Sequence, residues 1–166
     1  MKKTNNAYKP AVSIISLGCA KNHVDTEIAA ALLLLDGFAF TDSYEDADIF
    51  FINTCAFLKS ARKEAEMEIR SAAKIKKLDP TRKIIVAGCI NAWDTDGTFR
   101  NSHPEVDAWV SIHSVEDIGK IVTAVWNNSP FPVPRKTPWL YDCSTPRLLL
   151  NNGNFAYLKI SDGCDN

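Results

Sequence analysis

Three apolar runs punctuate the first half of the chain, and each ends in a short turn that carries a cysteine. They read Ser13-Ile14-Ile15-Ser16-Leu17-Gly18-Cys19, Ile49-Phe50-Phe51-Ile52-Asn53-Thr54-Cys55 and Ile84-Ile85-Val86-Ala87-Gly88-Cys89. Short runs rich in β-branched and aromatic residues, closed by turn-permissive residues, predict buried strands. Strands apolar on both faces belong to a parallel sheet covered by helices.

Between the runs the period changes. Asn22 reads as the N-cap of a helix through Ile28, Ala31, Leu32 and Leu35, with Asp25 and Glu27 near its positive end and a stop at Asp36-Gly37. Phe38 to Thr41 predicts a short second strand. The longest helix is expected from Ala56 to Leu78, with Leu58, Ala61, Ala65, Ile69 and Ala72 on one face and charged residues on the other. Pro80 ends it, because proline disfavours helical geometry in the residue before it. Lys83 to Ala87 is the fourth strand and Val106 to Ile112 the fifth, with a short helix and loop expected between Asn91 and Pro104. Ser114 to Asp117 resembles a capping box opening a last helix to Trp126.

This alternation predicts an α/β fold, a flavodoxin-like or Rossmann-like three-layer domain with a parallel sheet of about five strands. Residues 1–10 are expected to form a tail and residues 11–127 the α/β domain. The pattern then lapses. Five of the eight prolines (Pro130, Pro132, Pro134, Pro138, Pro146) fall in the stretch that follows, so residues 128–152 read as an extended linker. Phe155 to Ile160 is a fresh strand signal followed by Gly163-Cys164, and residues 153–166 read as the opening of a second domain.

Composition narrows the class without choosing a function. The 166 residues are 46% hydrophobic and 23% charged, a globular balance, and the formal net charge of -1 supplies no field for nucleic acid or anionic membrane. No signal-peptide pattern or membrane-length apolar run occurs, which predicts a soluble cytoplasmic protein. Five widely spaced cysteines in a reducing compartment favour metal, redox or catalytic use over a disulfide framework.

Ligands of open α/β sheets bind outside the carboxyl ends of the strands. In the flavodoxin-like order the first, third and fourth strands are neighbours, so Cys19, Cys55 and Cys89 would share one sheet edge. Strands about 4.8 Å apart spread three such thiols over roughly 10 Å, within reach of one iron–sulfur cube if the loops bend inward. One zinc ion would require them closer and usually a fourth ligand. Packed structural thiols in a plain binding module are the rival reading. A thiol phosphatase or rhodanese is disfavoured, since no arginine follows closely behind any of the three. His23, His103 and His113 read as surface or internally satisfied residues and Trp93 as the one tryptophan near the site; Asn22 and Asn53 could steady the cysteine loops by hydrogen bonds, but capping is the preferred reading.

With these residues in view, the chain resembles the N-terminal part of the radical-SAM methylthiotransferases. The most specific motif is Ser16-Leu17-Gly18-Cys19-Ala20-Lys21-Asn22-His23-Val24-Asp25-Thr26-Glu27. Asn53-Thr54-Cys55-Ala56-Phe57-Leu58, Gly88-Cys89, Pro104 to Ala108 and Ala156 to Asn166 fit the same family. Residues after Cys89, Ile90 to Asp94, depart from its usual pattern. The first two motifs are similar to the branch that methylthiolates an aspartate of small-subunit ribosomal protein twelve, rather than the branch that modifies adenosine in transfer RNA.

The resemblance implies that Cys19, Cys55 and Cys89 bind an auxiliary [4Fe-4S] cluster. It implies that Cys164 is the first ligand of a second [4Fe-4S] cluster, the one that cleaves S-adenosylmethionine, in a barrel of which this chain holds only the first strand. The implied partners are the ribosomal protein substrate and proteins of iron–sulfur assembly and electron donation, with nucleic acid only on the transfer-RNA branch and no membrane. By that reading these residues alone are catalytically incomplete. Cys143 matches no role and reads as a linker thiol.

Overall fold

The computed structural model describes residues 9–132, 139–151 and 153–161, with only the backbone of Ile112. The elements, in chain order, are β1 (Ala11–Ser16), α1 (Ala20–Leu35), β2 (Ala39–Phe40), β3 (Ile49–Thr54), α2 (Lys59–Leu78) and β4 (Lys83–Gly88). Then come α3 (Ile90–Trp93), α4 (Thr98–Asn101), β5 (Ala108–Val110), a 3-10 turn (Ile112–Asp117) and α5 (Ile118–Trp126). All strand pairings are parallel, in the order β2-β1-β3-β4-β5. The expected doubly wound sheet is therefore what forms, with β1, β3 and β4 adjacent.

Every residue of β3 and of β4 is buried, which is why both read as unbroken apolar runs instead of alternating ones. Alternate residues of each strand feed two separate cores. Val12, Phe51 and Ile85 pack under α1 and α5 with Ala29, Leu33, Ile121 and Val122. Phe50, Ile52, Ile84 and Val86 pack on the opposite face under α2, against Ala65, Ile69 and Ala72. The second core is thin on the helix side. α2 buries only those three residues, at spacings of four and three, and its other faces carry the charged residues.

Several local expectations give way. Asn22 does not cap α1: the cap position is Cys19, and Asn22 is buried within the first turn with its side chain turned to the sheet edge. Leu58 is about half exposed, because α2 starts at Lys59 and Leu58 keeps extended backbone before it. The segment after Cys89 forms two one-turn helices, separated where Gly97 adopts a positive φ of 74°. Ser114 lies inside the 3-10 turn, and the hydroxyl that caps this turn belongs to Ser111, which accepts from His113 N at 3.2 Å.

Phe155 to Ile160 carries a strand signal but pairs with no strand among the described residues, since a ladder needs a partner edge as well as a favourable pattern. The described residues of 139–151 and 153–161 are pinned to α1. Arg147 Nε donates to Glu27 Oε2 at 2.6 Å, Leu150 N donates to Glu27 Oε1 at 3.2 Å, and Leu148 N donates to the Glu27 carbonyl at 3.0 Å. Lys159 Nζ reaches Asp25 Oδ1 at 2.8 Å. Glu27 is wholly buried under this strap. Cys164 lies outside the described residues.

Candidate metal centre

The topology places Cys19, Cys55 and Cys89 one to three residues beyond the last residues of β1, β3 and β4, on three neighbouring turns. Two of these turns require glycine. Gly18 has φ +95°, and a Cβ there would lie 2.3 Å from Cys55 Cβ and 3.1 Å from Cys55 Sγ. Gly88 has φ +94°, and a Cβ there would lie 2.4 Å from both Asn53 Oδ1 and the Thr54 carbonyl. Each glycine thus supplies a left-handed turn and the room in which a neighbouring loop sits. The cysteine turns are packed directly against one another.

Hydrogen bonds lace the same turns. Asn22 Nδ2 donates to the Thr54 carbonyl at 2.7 Å and to the Leu17 carbonyl at 3.2 Å. The Thr54 carbonyl also accepts from Cys89 N at 2.9 Å, so the residue before Cys55 is tied to both other turns. Asn53 Nδ2 donates to the Asn22 carbonyl at 2.9 Å and to Thr26 Oγ1 at 2.8 Å. Thr26 Oγ1 donates to the Asn22 carbonyl at 2.8 Å and sits 2.8 Å from Ser16 Oγ. Thr54 Oγ1 donates to the Ala87 carbonyl at 2.6 Å. Asn22 and Asn53 therefore bridge loops rather than cap helices. Asn22 and Thr26, polar residues four apart on the side of α1 that faces the sheet, were the sequence signal for this network.

The thiols are not alike in their surroundings. Cys55 is buried, Cys89 half-buried and Cys19 exposed. Cys55 Sγ accepts from Phe57 N at 3.5 Å, whereas Cys89 Sγ lies 3.6 Å from Asn22 Oδ1. Among the described residues no group of three His, Cys, Asp or Glu side chains closes tightly enough to hold one metal ion. The donor chemistry fits a soft, thiolate-liganded group larger than a single ion, set against a rigid backbone cradle.

Trp93 stands at the rim beside the Cys89 turn, its main-chain N–H bonded to the Cys89 carbonyl at 3.0 Å and the Arg62 guanidinium 4.7 Å from its ring centroid. Sequence reasoning passed over Arg62, whose Nη1 also donates to the Ala56 carbonyl at 2.7 Å, just past Cys55. His103 is buried rather than superficial: Nδ1 faces Glu105 Oε1 at 3.1 Å, the ring packs on Phe99, and Nε2 has no partner among the described residues. His23 meets Glu27 and the Tyr157 ring under the strap. Cys143 is exposed in the strap, far along the chain from the three turns.

A three-layer, parallel α/β domain with cysteines on three adjacent carboxyl-end turns is the class of protein defined so far. Residues 11–111, from β1 to the end of β5, match the Uncharacterized protein family UPF0004, and the chain belongs to that family. It is 38% identical over 155 residues to the ribosomal protein uS12 methylthiotransferase RimO of Heliobacterium modesticaldum, covering 93% of this chain and 34% of that protein. Identity to the protein of the same name from Solibacter usitatus is 38% over 154 residues, with 93% and 32% covered. For that of Bdellovibrio bacteriovorus it is 35% over 167 residues, with 98% and 35% covered. The resemblance to the methylthiotransferases is borne out. The chain spans about a third of the length of these curated relatives.

No helix among the described residues is long and apolar enough to cross a membrane.

Proposed function

We propose that this chain is the cluster-bearing α/β domain of a ribosomal protein uS12 methylthiotransferase, with Cys19, Cys55 and Cys89 as the ligands of an auxiliary [4Fe-4S] cluster. The observation that carries the proposal is the lacing of three cysteine turns on one sheet edge by Asn22 and the Thr54 carbonyl. When bound, a cube held by three thiolates supplies an iron without a protein ligand, a place for a sulfur-bearing group. The chain's own residues fix that site. β1, β3 and β4 set the spacing, Gly18 and Gly88 let the turns touch, and the Asn22 network holds them before anything binds.

Residues 11–127 form this domain in the proposal, 128–152 the linker and 153–166 the entry to a radical-SAM domain, where Cys164 is the first ligand of the cluster that works with S-adenosylmethionine. The substrate is an aspartate of uS12, supported by the names of the relatives and by the first two cysteine motifs. Iron–sulfur assembly and electron-donor proteins are the other partners, and the reducing cytoplasm keeps the thiols available. The full transfer belongs to a polypeptide of the relatives' length.

Anaerobic reconstitution with iron and sulfide tests the assignment. The wild-type chain is expected to take up about four iron and four sulfide, lost in a Cys19→Ala, Cys55→Ala, Cys89→Ala variant that keeps Cys143 and Cys164. Equal iron in that variant, or a folded wild-type chain that binds one zinc and no sulfide, would falsify it.

A further inference from the structure

The side-chain amide of Asn22 has only one possible orientation. Its nitrogen lies 2.7 Å and 3.2 Å from two main-chain carbonyls, which can only accept, so that atom must be the NH2 group. The remaining atom, Oδ1, is then the one that faces Cys89 Sγ at 3.6 Å. Flipping the amide would set oxygen against both carbonyls and lose both bonds. Cys89 thus meets a locked acceptor, while Cys55 Sγ receives a main-chain N–H from Phe57 at 3.5 Å. Both contacts come from groups that the fold immobilises. A ligating sulfur has no proton to donate, so Oδ1 would face it as the negative end of a fixed dipole.

We infer that Asn22 is a positioning residue that makes the Cys89 ligand electronically distinct from Cys55 and lowers the reduction potential of the bound cluster. This rests on the cluster assignment above. The physical reason is that an added electron spreads negative charge onto the ligand sulfurs, and contacts to those sulfurs tune the potential. An oxygen held against one sulfur opposes reduction. A donor at that place would favour it.

The test is a redox titration, read by electron paramagnetic resonance, of the anaerobically reconstituted chain in four forms: wild type, Asn22→Ala, Asn22→Asp and Tyr44→Phe. Tyr44→Phe removes a hydroxyl bonded to Glu68 of α2, outside the hydrogen bonds that lace the cysteine turns. The midpoint is expected to rise in Asn22→Ala and stay at the wild-type value in Tyr44→Phe, while Asn22→Asp, whose second oxygen must face the Leu17 and Thr54 carbonyls, is expected to load less cluster than wild type. A folded Asn22→Ala that fails to load while Tyr44→Phe loads normally also supports positioning. The inference is overturned if the Asn22 variants load fully with the wild-type midpoint, if Tyr44→Phe shifts or fails equally, or if neither Asn22 variant folds. A wild-type chain that takes up no cluster overturns the cluster assignment itself, and is read before any variant is compared.

Discussion

Helix α1 serves two regions built on opposite principles. Toward the sheet edge it presents Asn22 and Thr26, one helical turn apart, to a network made largely of main-chain carbonyls. Toward the strap it presents His23 and Glu27, also one turn apart, with Asp25 nearby, to charged and aromatic side chains more than a hundred residues downstream. The edge is assembled by strand topology and needs glycine where turns collide. The strap relies on ion pairs and leaves its apolar residues out, with Leu158 84% and Ile160 87% exposed. One region is fixed by backbone geometry and the other is pinned by side chains, so different substitutions break them.

The largest effect is expected at Gly88. An alanine there would set its Cβ 2.8 Å from Thr54 N and 2.4 Å from the Thr54 carbonyl, in a left-handed conformation, and main chain inside a buried strand cannot step aside. Gly88→Ala should cost about 2–5 kcal/mol, as strain and overpacking together, read by urea unfolding. Near-wild-type stability would mean that the edge is softer than its hydrogen bonds imply. Gly18→Ala meets the same obstacle one turn away. A Cβ there would lie 2.3 Å from Cys55 Cβ, which no side-chain rotation moves, in a left-handed conformation, so stability should fall and iron uptake should fall with the displacement of the Cys55 turn.

Breaking the strap is the next test. Removing Arg147 leaves a fully buried Glu27 carboxylate with one N–H from Leu150 and a contact to His23. Full loss of a partner in a buried pair costs about 3–5 kcal/mol, but Arg147 is partly exposed and His23 remains, so about 2 kcal/mol is the expectation for Arg147→Ala. Limited proteolysis should then cut within residues 139–161 while β1 to α5 stays intact. Cutting of the sheet domain at the same rate would show that the two regions unfold as one.

This division also explains what the sequence disclosed. Hydrophobic runs are local, and β3 and β4 keep their polar residues at their ends (Asn53, Thr54 and Lys83), so no polar position interrupts the runs and the strands and the cysteines behind them were legible. For Asn22 the capping reading was preferred over loop-bridging hydrogen bonds because capping is the commonest use of asparagine near a helix start, and one of its partners, Thr54, is brought to it only by the strand order. Glu27 misled for a parallel reason. Near a helix N-terminus a carboxylate is explained by the dipole alone, and nothing local announces an arginine 120 residues away. The strand signal at Phe155 to Ile160 is a local preference that finds no partner edge among the described residues.

The smallest effect asks whether any of the strap's order is its own. Asp142 Oδ1 accepts from Ser144 Oγ at 2.6 Å and Ser144 N at 2.9 Å, and these bonds, the hydroxyl's foremost, hold its carboxyl below the usual range. Asp79, just past α2, makes the same local arrangement with Thr81 Oγ1 at 2.6 Å and Thr81 N at 3.1 Å, and is lowered for the same reason. A carboxyl lowered on folding favours the folded turn above its ordinary range, and that contribution is lost as pH falls through the lowered folded value. The Ser144 and Thr81 amide resonances should therefore both move below the pH at which a free aspartate titrates. Because each turn closes within a few residues, the Ser144 transition should survive in Arg147→Ala even after the strap comes away from α1. Its return to the ordinary aspartate range in that variant would show that docking on Glu27 orders the turn, and that even this stretch of the strap borrows its structure from the helix.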